Sequence, residues 1–331
     1  MTAPLVSVRN LTKLYPARHS LFGRPLGDVR AVDGVSFDIF PSETLALVGE
    51  SGCGKTTTGR CLLRLVEATA GDVRFDGTDV RALEREELRR LRRRMQLVFQ
   101  DPYTSLNPRM TVGRAVREGM EIHGLAQGDE AKRRVQHLLE EVGLRADDAT
   151  KYPHEFSGGQ RQRVAIARAL AVEPSFIVLD EAVSALDVTV QAQVLALLSR
   201  LQRERGLTYL FIAHNLAVVE QVATRVAVMY LGRIVEIGAA ADIFGNPQHP
   251  YTQALLSAVP VPDPGAPRRR IVLTGDAPSA RTAPRGCVFH PRCPHPDKDL
   301  ACTAAVPPLM EREPSHLVAC IKPVSSALIV S

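Results

Sequence analysis

Tryptophan is absent from the 331 residues, and Phe, Trp and Tyr together contribute only 5%. The Arg-rich stretch from Leu83 to Met95 therefore has no interleaved aromatics on which bases could stack, and it reads as the solvated face of a helix rather than a nucleic-acid surface. Long apolar runs are lacking too: none approaches the ~20 residues of a membrane span. No basic stretch followed by an apolar one opens the chain in the manner of an export signal. We therefore expect a protein of the cytoplasm that reaches a membrane only through partners. Charge of one sign is nearly balanced, 41 Lys and Arg against 36 Asp and Glu, so the net +5 suits an acidic ligand or membrane surface without demanding nucleic acid. Six cysteines without an export signal point to thiols or metal ligands before disulfides. What is present, 45% apolar against 23% charged, is a globular composition on a chain long enough for two domains or one with an appendage.

The stretch that organises the chain runs from Leu45 to Thr58, an apolar strand feeding a glycine-rich loop and a helix start. Gly49, Gly52 and Gly54 remove the Cβ atoms that would stop the backbone curling around an anion, so successive N–H groups can converge on phosphate oxygens at a helix N-terminus. Lys55 adds a charge for the β- and γ-phosphates, and the Thr56 hydroxyl suits Mg²⁺.

Around this loop the chain alternates strand and helix patterns. Leu5 to Val8 and Val35 to Ile39 read as strands, joined through Ala17 to Asp28, a Gly-, Pro- and Arg-rich loop or hairpin. Tyr15 at its entrance can stack on a purine, and plain packing explains it equally well. Thr57 to Glu67 and Leu83 to Met95 carry helical spacing, a short strand ends at Val98 to Gln100, and Val112 to Ala149 forms a helical insertion. Ser157, Gly158 and Gly159 precede the amphipathic run Val164 to Leu170; an anion-receiving helix start and an ordinary capped turn fit them equally. Phe176 to Leu179 is a fully apolar strand ending in Asp180 and Glu181, placing one carboxylate for Mg²⁺ and one for the water attacking a γ-phosphate. Tyr209 to Ala213 is another, and His214 leaves it at the same sheet edge, within range of a γ-phosphate.

In order and spacing, Gly49 to Thr56, Gln100, Ser157 to Gln160, Leu179 to Glu181, Ser184 to Asp187 and His214 resemble the Walker A, Q-loop, signature, Walker B, D-loop and H-loop of ABC transporter ATPases, over about residues 1–245. The resemblance implies an α/β P-loop core with an antiparallel β subdomain and a helical subdomain at about 101–172. It also implies head-to-tail pairing, ATP lying between one subunit's phosphate loop and the other's Ser157, Gly158, Gly159 and Gln160. Gly49, Glu50, Ser51, Gly52, Cys53, Gly54, Lys55, Thr56 and Thr57 would hold the phosphates, and Asp187 would belong to the nucleotide-binding residues too. Thr56, Gln100 and Asp180 would serve Mg²⁺, Glu181 would be the base, Gln100 the sensor of metal and water, and His214 the γ-phosphate contact.

Tyr103 to Arg109, Tyr152 to Arg163 and His249 to Pro260 resemble more narrowly the oligopeptide and dipeptide importers, whose relatives include nickel importers. Two permeases, a sister ATPase and, indirectly, an extracytoplasmic solute-binding protein are the implied partners, at the cytoplasmic face of the membrane. Two rival readings are a subunit that binds ATP but hydrolyses it weakly, and a soluble ABC protein outside transport. Ala182 and Val183 stand where the family usually has Pro-Thr, Asn215 where it has Asp, and Cys53 where Ser is common, from which slow hydrolysis at this site is expected.

Residues 246–331 form the C-terminal region, Pro-rich from Pro260 onward, with Cys287, Cys293, Cys302 and Cys320 spaced C-x5-C-x8-C-x17-C, which is not a zinc-finger pattern. The importer resemblance implies a [4Fe–4S] cluster on these four, with Zn²⁺ as the alternative, stapling a stretch that has few apolar runs of its own.

Overall fold

The computed structural model describes residues 3–16, 28–100, 105–259, 270–275, 278–279, 281 and 283–324. The N-terminal strands β1 (Val6–Tyr15) and β2 (Val29–Ile39) pair antiparallel, Val6 opposite Ile39, and β4 (Ala70–Phe75) and β5 (Thr78–Asp79) complete a four-stranded sheet in the order β2-β1-β4-β5. Its alternation buries Val6, Val8, Val35, Phe37, Val73 and Phe75 on one face, the period a half-solvated antiparallel sheet requires. The expected loop from Ala17 lies largely outside the described residues.

The second sheet has eight strands in the order β11-β12-β10-β9-β3-β8-β7-β6. Its parallel part comprises β3 (Thr44–Val48), β6 (Met95–Val98), β7 (Phe176–Asp180), β8 (Thr208–Ala213) and β9 (Arg225–Tyr230). Every residue of β3, β7 and β8 is buried, as parallel strands covered on both faces must be. Helices α1 (Lys55–Leu62), α5 (Gly158–Leu170), α6 (Val188–Arg205) and α7 (Leu216–Val222) follow or flank these strands. The carboxyl ends of β3, β7 and β8 therefore open side by side, where a sheet of this kind receives its ligand.

The helical insertion forms as α3 (Val112–Ile122) and α4 (Gly128–Glu141), with Val116, Met120, Val135 and Leu139 packed into the same core as Val164 of α5. The Arg-rich helix α2 (Arg85–Arg94) fully buries only Leu88; Arg85, Arg89 and Arg90 are exposed, while Arg92 and Arg93 are half-buried and donate to the carbonyls of Leu63, Arg64 and Val172. The first two strands run longer than expected, to Tyr15 and from Val29, and two helix ends move. Met95, expected as the last core residue of α2, instead opens β6 opposite Phe176 at 2% exposure, because pairing in the buried sheet outweighs helical spacing. The helix expected to reach Glu67 ends at Leu62, since Arg64 takes a left-handed φ of 50°.

The C-terminal region is not appended loosely. Strand β10 (Arg233–Ala239) pairs antiparallel with β9, and the hairpin β11 (Met310–Glu313) and β12 (His316–Val318) adds two strands beyond it. Between β10 and that hairpin the chain forms α8 (Ala240–Gly245), α9 (Pro250–Ser257) and the short α10 (Ala301–Ala304). A fully buried carboxylate, Glu236, joins the pieces: it accepts the N–H groups of Gln248 at 2.7 Å and His249 at 3.0 Å, and His316 Nε2 lies 2.8 Å from it. Glu236→Ala would remove the acceptor of all three, a loss of about 3 kcal/mol for a buried pair, and should free the hairpin to limited proteolysis. The hydrogen bond to Glu236 raises the His316 pKa above its ordinary 6.5, against desolvation. Its contribution is thus complete below that value and fades as pH climbs through the raised one. Proteolysis from about pH 6 to about pH 9 should release the hairpin faster at the alkaline end; a pH-independent rate would contradict the pairing.

Candidate nucleotide-binding site

The loop after β3 curls as its glycines allow. Gly49 takes φ 148°, Gly52 78° and Gly54 108°. A Cβ at Gly49 would stand 2.1 Å from the Met229 carbonyl oxygen, and one at Gly54 2.1 Å from that of Ala31, so no other residue fits either position. Gly54 is the N-cap of α1 and offers no side-chain cap, which leaves the first N–H groups of the helix for an anion. Lys55, 5% exposed, donates its ammonium inward to the carbonyls of Gly49 at 2.8 Å and Glu50 at 3.0 Å, sitting inside the curl where phosphate charge would be met. Cys53 is buried in the same loop, its thiol pKa raised by that burial. Ser51 and Gly52 are exposed at the loop's crest, and Thr57 is half-buried in the first turn of α1.

Thr56 Oγ1 donates to Asp180 Oδ1 at 2.8 Å, bringing together two oxygens of the kind Mg²⁺ takes. Burial raises the Asp180 pKa, and the Thr56 bond opposes that shift. Glu181, next in chain, takes a left-handed φ of 50° with its N–H donated to the Ile212 carbonyl at 3.0 Å. A non-glycine residue held there is strained, and the neighbouring β8 fixes it. His214 Nδ1 lies 3.3 Å from Glu181 Oε2, with the imidazole about half exposed and the carboxylate largely shielded. A shared cleft is lined by Glu181, Ser184, His214 and Asn215.

The remaining motif residues are placed by helix ends. Ser157 caps α5: its hydroxyl accepts the Gln160 N–H at 3.3 Å, and the Gln160 side chain accepts the Ser157 N–H at 2.9 Å. Both are exposed, while Gly159 is pressed so closely on Val190 that a Cβ would stand 2.2 Å from its methyl. Asp187 caps α6 through the Val190 N–H at 2.9 Å. Gln100 is exposed just past β6; Tyr103 and Thr104 lie outside the described residues. Tyr15 is 38% exposed at the end of β1, under the ammonium of Lys13 at 4.8 Å. Of the departures, Ala182 and Val183 are buried in the core, and Asn215 caps α7 through the Ala217 N–H at 3.1 Å. The carboxylate facing His214 is thus Glu181 itself.

A pattern described as "ABC transporter" matches residues 32–184, and one described as "Oligopeptide/dipeptide transporter, C-terminal region" matches residues 235–299. A Brucella ovis protein named as a peptide import ATP-binding protein is 54% identical over 319 residues, 96% of this chain and 98% of that one. The chain belongs to the ABC transporter ATPases of the oligopeptide and dipeptide importer type. A glutathione import ATP-binding protein of Salmonella typhi is 57% identical over 83% of this ABC ATPase, which spans 44% of that longer chain. Among solved structures, a subunit of an ABC transporter complex from Clostridium perfringens superposes with a TM-score of 0.63 at 28% identity, covering 73% of this chain and 91% of that one. A dimeric ATP-binding cassette bound to ADP and phosphate gives 0.63 at 29% identity, over 71% and 98%. The ABC ATPase has no helix, among the described residues, long and apolar enough to cross a membrane.

In its C-terminal region the ABC ATPase brings Cys287, Cys293, Cys302 and Cys320 around one cavity, with Phe289, His290 and Pro250. All are free thiols; burial raises the pKa of Cys287 and Cys293, and that of Cys320 to about 11. The convergence expected of metal ligands is not met by the side chains as they stand: among the described residues, no group of three or more His, Cys, Asp or Glu forms a metal-holding set. Sequence reading missed the aromatic packing beside this cavity and Arg292, whose guanidinium reaches Glu50 of the phosphate loop. A lone Arg in a Pro-rich stretch carries no pattern that could have flagged it.

Gly54→Ala is expected to weaken MgATP about a hundredfold, about 2.8 kcal/mol, because the new methyl must displace the Ala31 carbonyl and the loop with it. Titration with a fluorescent ATP analogue would read this, and an affinity within about threefold of the parent would contradict the crowding.

Proposed function

We propose that this ABC ATPase couples ATP hydrolysis to the import of peptides or a related small solute. It would act as a peripheral subunit at the cytoplasmic face, with two permeases, a sister ATPase and an extracytoplasmic solute-binding protein acting indirectly. The observation that carries the reading is the convergence of Lys55, the Thr56–Asp180 pair and the Glu181–His214 pair at one edge of the parallel sheet. Lys55 and the N–H groups of α1 bind the phosphates, Thr56 and Asp180 receive Mg²⁺, and Glu181 holds the attacking water, with His214 at the γ-phosphate. The exposed Ser157–Gln160 cap meets the ATP held by the sister subunit. The names of the Brucella and Salmonella relatives support peptide or glutathione as solute class.

Glu181→Gln keeps the side-chain shape but removes the base, so turnover in the assembled transporter should fall by about 10² or more while an ATP-bound dimer accumulates. Lys55→Ala should instead lose nucleotide binding. Parental turnover in Glu181→Gln would overturn the assignment of the base. Co-purifying the subunit with its permeases and binding protein, and finding which peptide raises its ATPase rate, tests the solute class.

The four-cysteine cavity is the place for a metal centre on this reading, a [4Fe–4S] cluster before Zn²⁺, serving as a structural staple. Because burial raises the pKa of Cys287, Cys293 and Cys320, metal uptake there must release protons and should tighten as pH rises. Anaerobic purification should give a brown protein with about four irons per chain, and Cys320→Ser should lose the colour. One zinc in a colourless protein would select the alternative, and freely titrating thiols without metal would overturn both.

A further inference from the structure

Glu50, second residue of the phosphate loop, is held twice by groups that have no part in binding phosphate. Its carboxylate accepts both available contacts from Arg292 Nη1, at 2.9 Å to Oε2 and 3.2 Å to Oε1. Its backbone N–H donates to the Tyr251 hydroxyl at 2.9 Å. The ion pair is well shielded, Arg292 being 11% exposed and Glu50 33%, so it is worth more than a surface pair.

Both holders sit next in the chain to residues that line the four-thiol cavity, Arg292 beside Cys293 and Tyr251 beside Pro250. Arg292 ends the one-turn helix His290–Arg292 and immediately precedes Cys293, while Phe289, at its other end, lines the cavity. The Phe289 ring packs on Tyr230 at 5.2 Å and on Tyr251 at 5.4 Å, and the Arg292 guanidinium reaches the Tyr230 hydroxyl at 3.4 Å. Tyr251 follows Pro250, a further wall residue. Tyr230, Tyr251 and Phe289 are all within 1% of complete burial, and such a packed cluster transmits displacement instead of absorbing it. From cavity to phosphate loop there are thus two routes, one through Phe289 and Arg292, the other through Pro250 and Tyr251.

We propose that the cysteine-bearing turn from Cys287 to Cys293 positions the phosphate loop through Arg292, so that the state of the thiol cavity sets ATP affinity and bound ATP in turn steadies the turn. The reciprocity is thermodynamic: a contact that favours the ATP-ready loop must itself be favoured by ATP. Arg292 is on this account a positioning residue. The inference rests on the reading of Gly49 to Thr56 as the ATP site and adds a second, distant control over it.

The test uses the full chain as purified, with MgATP as the probe. Arg292→Ala should weaken MgATP about tenfold, Arg292→Lys should restore part of that, and Glu50→Ala should lose a similar amount. The double variant should lose no more than either single one, the sign of a shared contact. Hydrogen exchange read by mass spectrometry supplies the reciprocal arm: MgATP should slow exchange across residues 287–293 in the parent and leave it unchanged in Arg292→Ala. Parental affinity in Arg292→Ala, strictly additive losses, or a turn indifferent to MgATP in a parent that binds it would overturn the positioning role. A parent chain that binds no MgATP would overturn the ATP-site reading itself. Should Arg292→Ala fold poorly, Arg292→Lys and the parent's exchange pattern decide the matter alone.

Discussion

At Gly49 and Gly54 the phosphate loop runs so near the carbonyls of Met229 and Ala31 that a single methyl group cannot enter. These two approaches tie the loop to both sheets at once, because Ala31 belongs to β2 and Met229 to β9. Lys55 can turn inward onto Gly49 and Glu50 only because the loop is pinned in this curl. Its position in turn brings Thr56 against Asp180. The order of dependence runs from backbone crowding to side-chain geometry and from there to chemistry.

The carboxylate proposed as the base, Glu181, rests on a different constraint. Glu181 leaves β7 in a left-handed turn that costs on the order of 1 kcal/mol or more, and the Ile212 carbonyl of β8 secures it. His214 follows the carboxyl end of that same β8, just past Ile212. One strand thus supplies both the restraint on Glu181 and its imidazole partner, which keeps the pair in register without any dedicated loop.

Much of this was legible in the chain. Glycine spacing, fully apolar strands ending in Asp180 and His214, and the order of the motifs depend on local chemistry that leaves a pattern in sequence. The boundary at Met95 was not legible, since its four-residue strand is chosen by Phe176, eighty-one positions away. Helical spacing read locally has no access to that pairing. The joints of the C-terminal region escaped for the same reason: Glu236 with His316, and Glu50 with Arg292, are single contacts across 80 and 242 residues. The cysteines were visible as a group, but their distance from ligand geometry was not, because spacing fixes which thiols meet without fixing how closely.

Strand β10 would be an open sheet margin if the chain stopped at α9, with a row of unsatisfied N–H and C=O groups able to recruit strands from other molecules. The hairpin of β11 and β12 covers that margin, and the new outermost strand, Met310–Glu313, carries the exposed charged side chains Glu311, Arg312 and Glu313. Charged side chains along a short outer strand disfavour edge-to-edge association. A chain shortened before this hairpin would leave the β10 edge open to self-association, even with the phosphate loop and β7 unchanged.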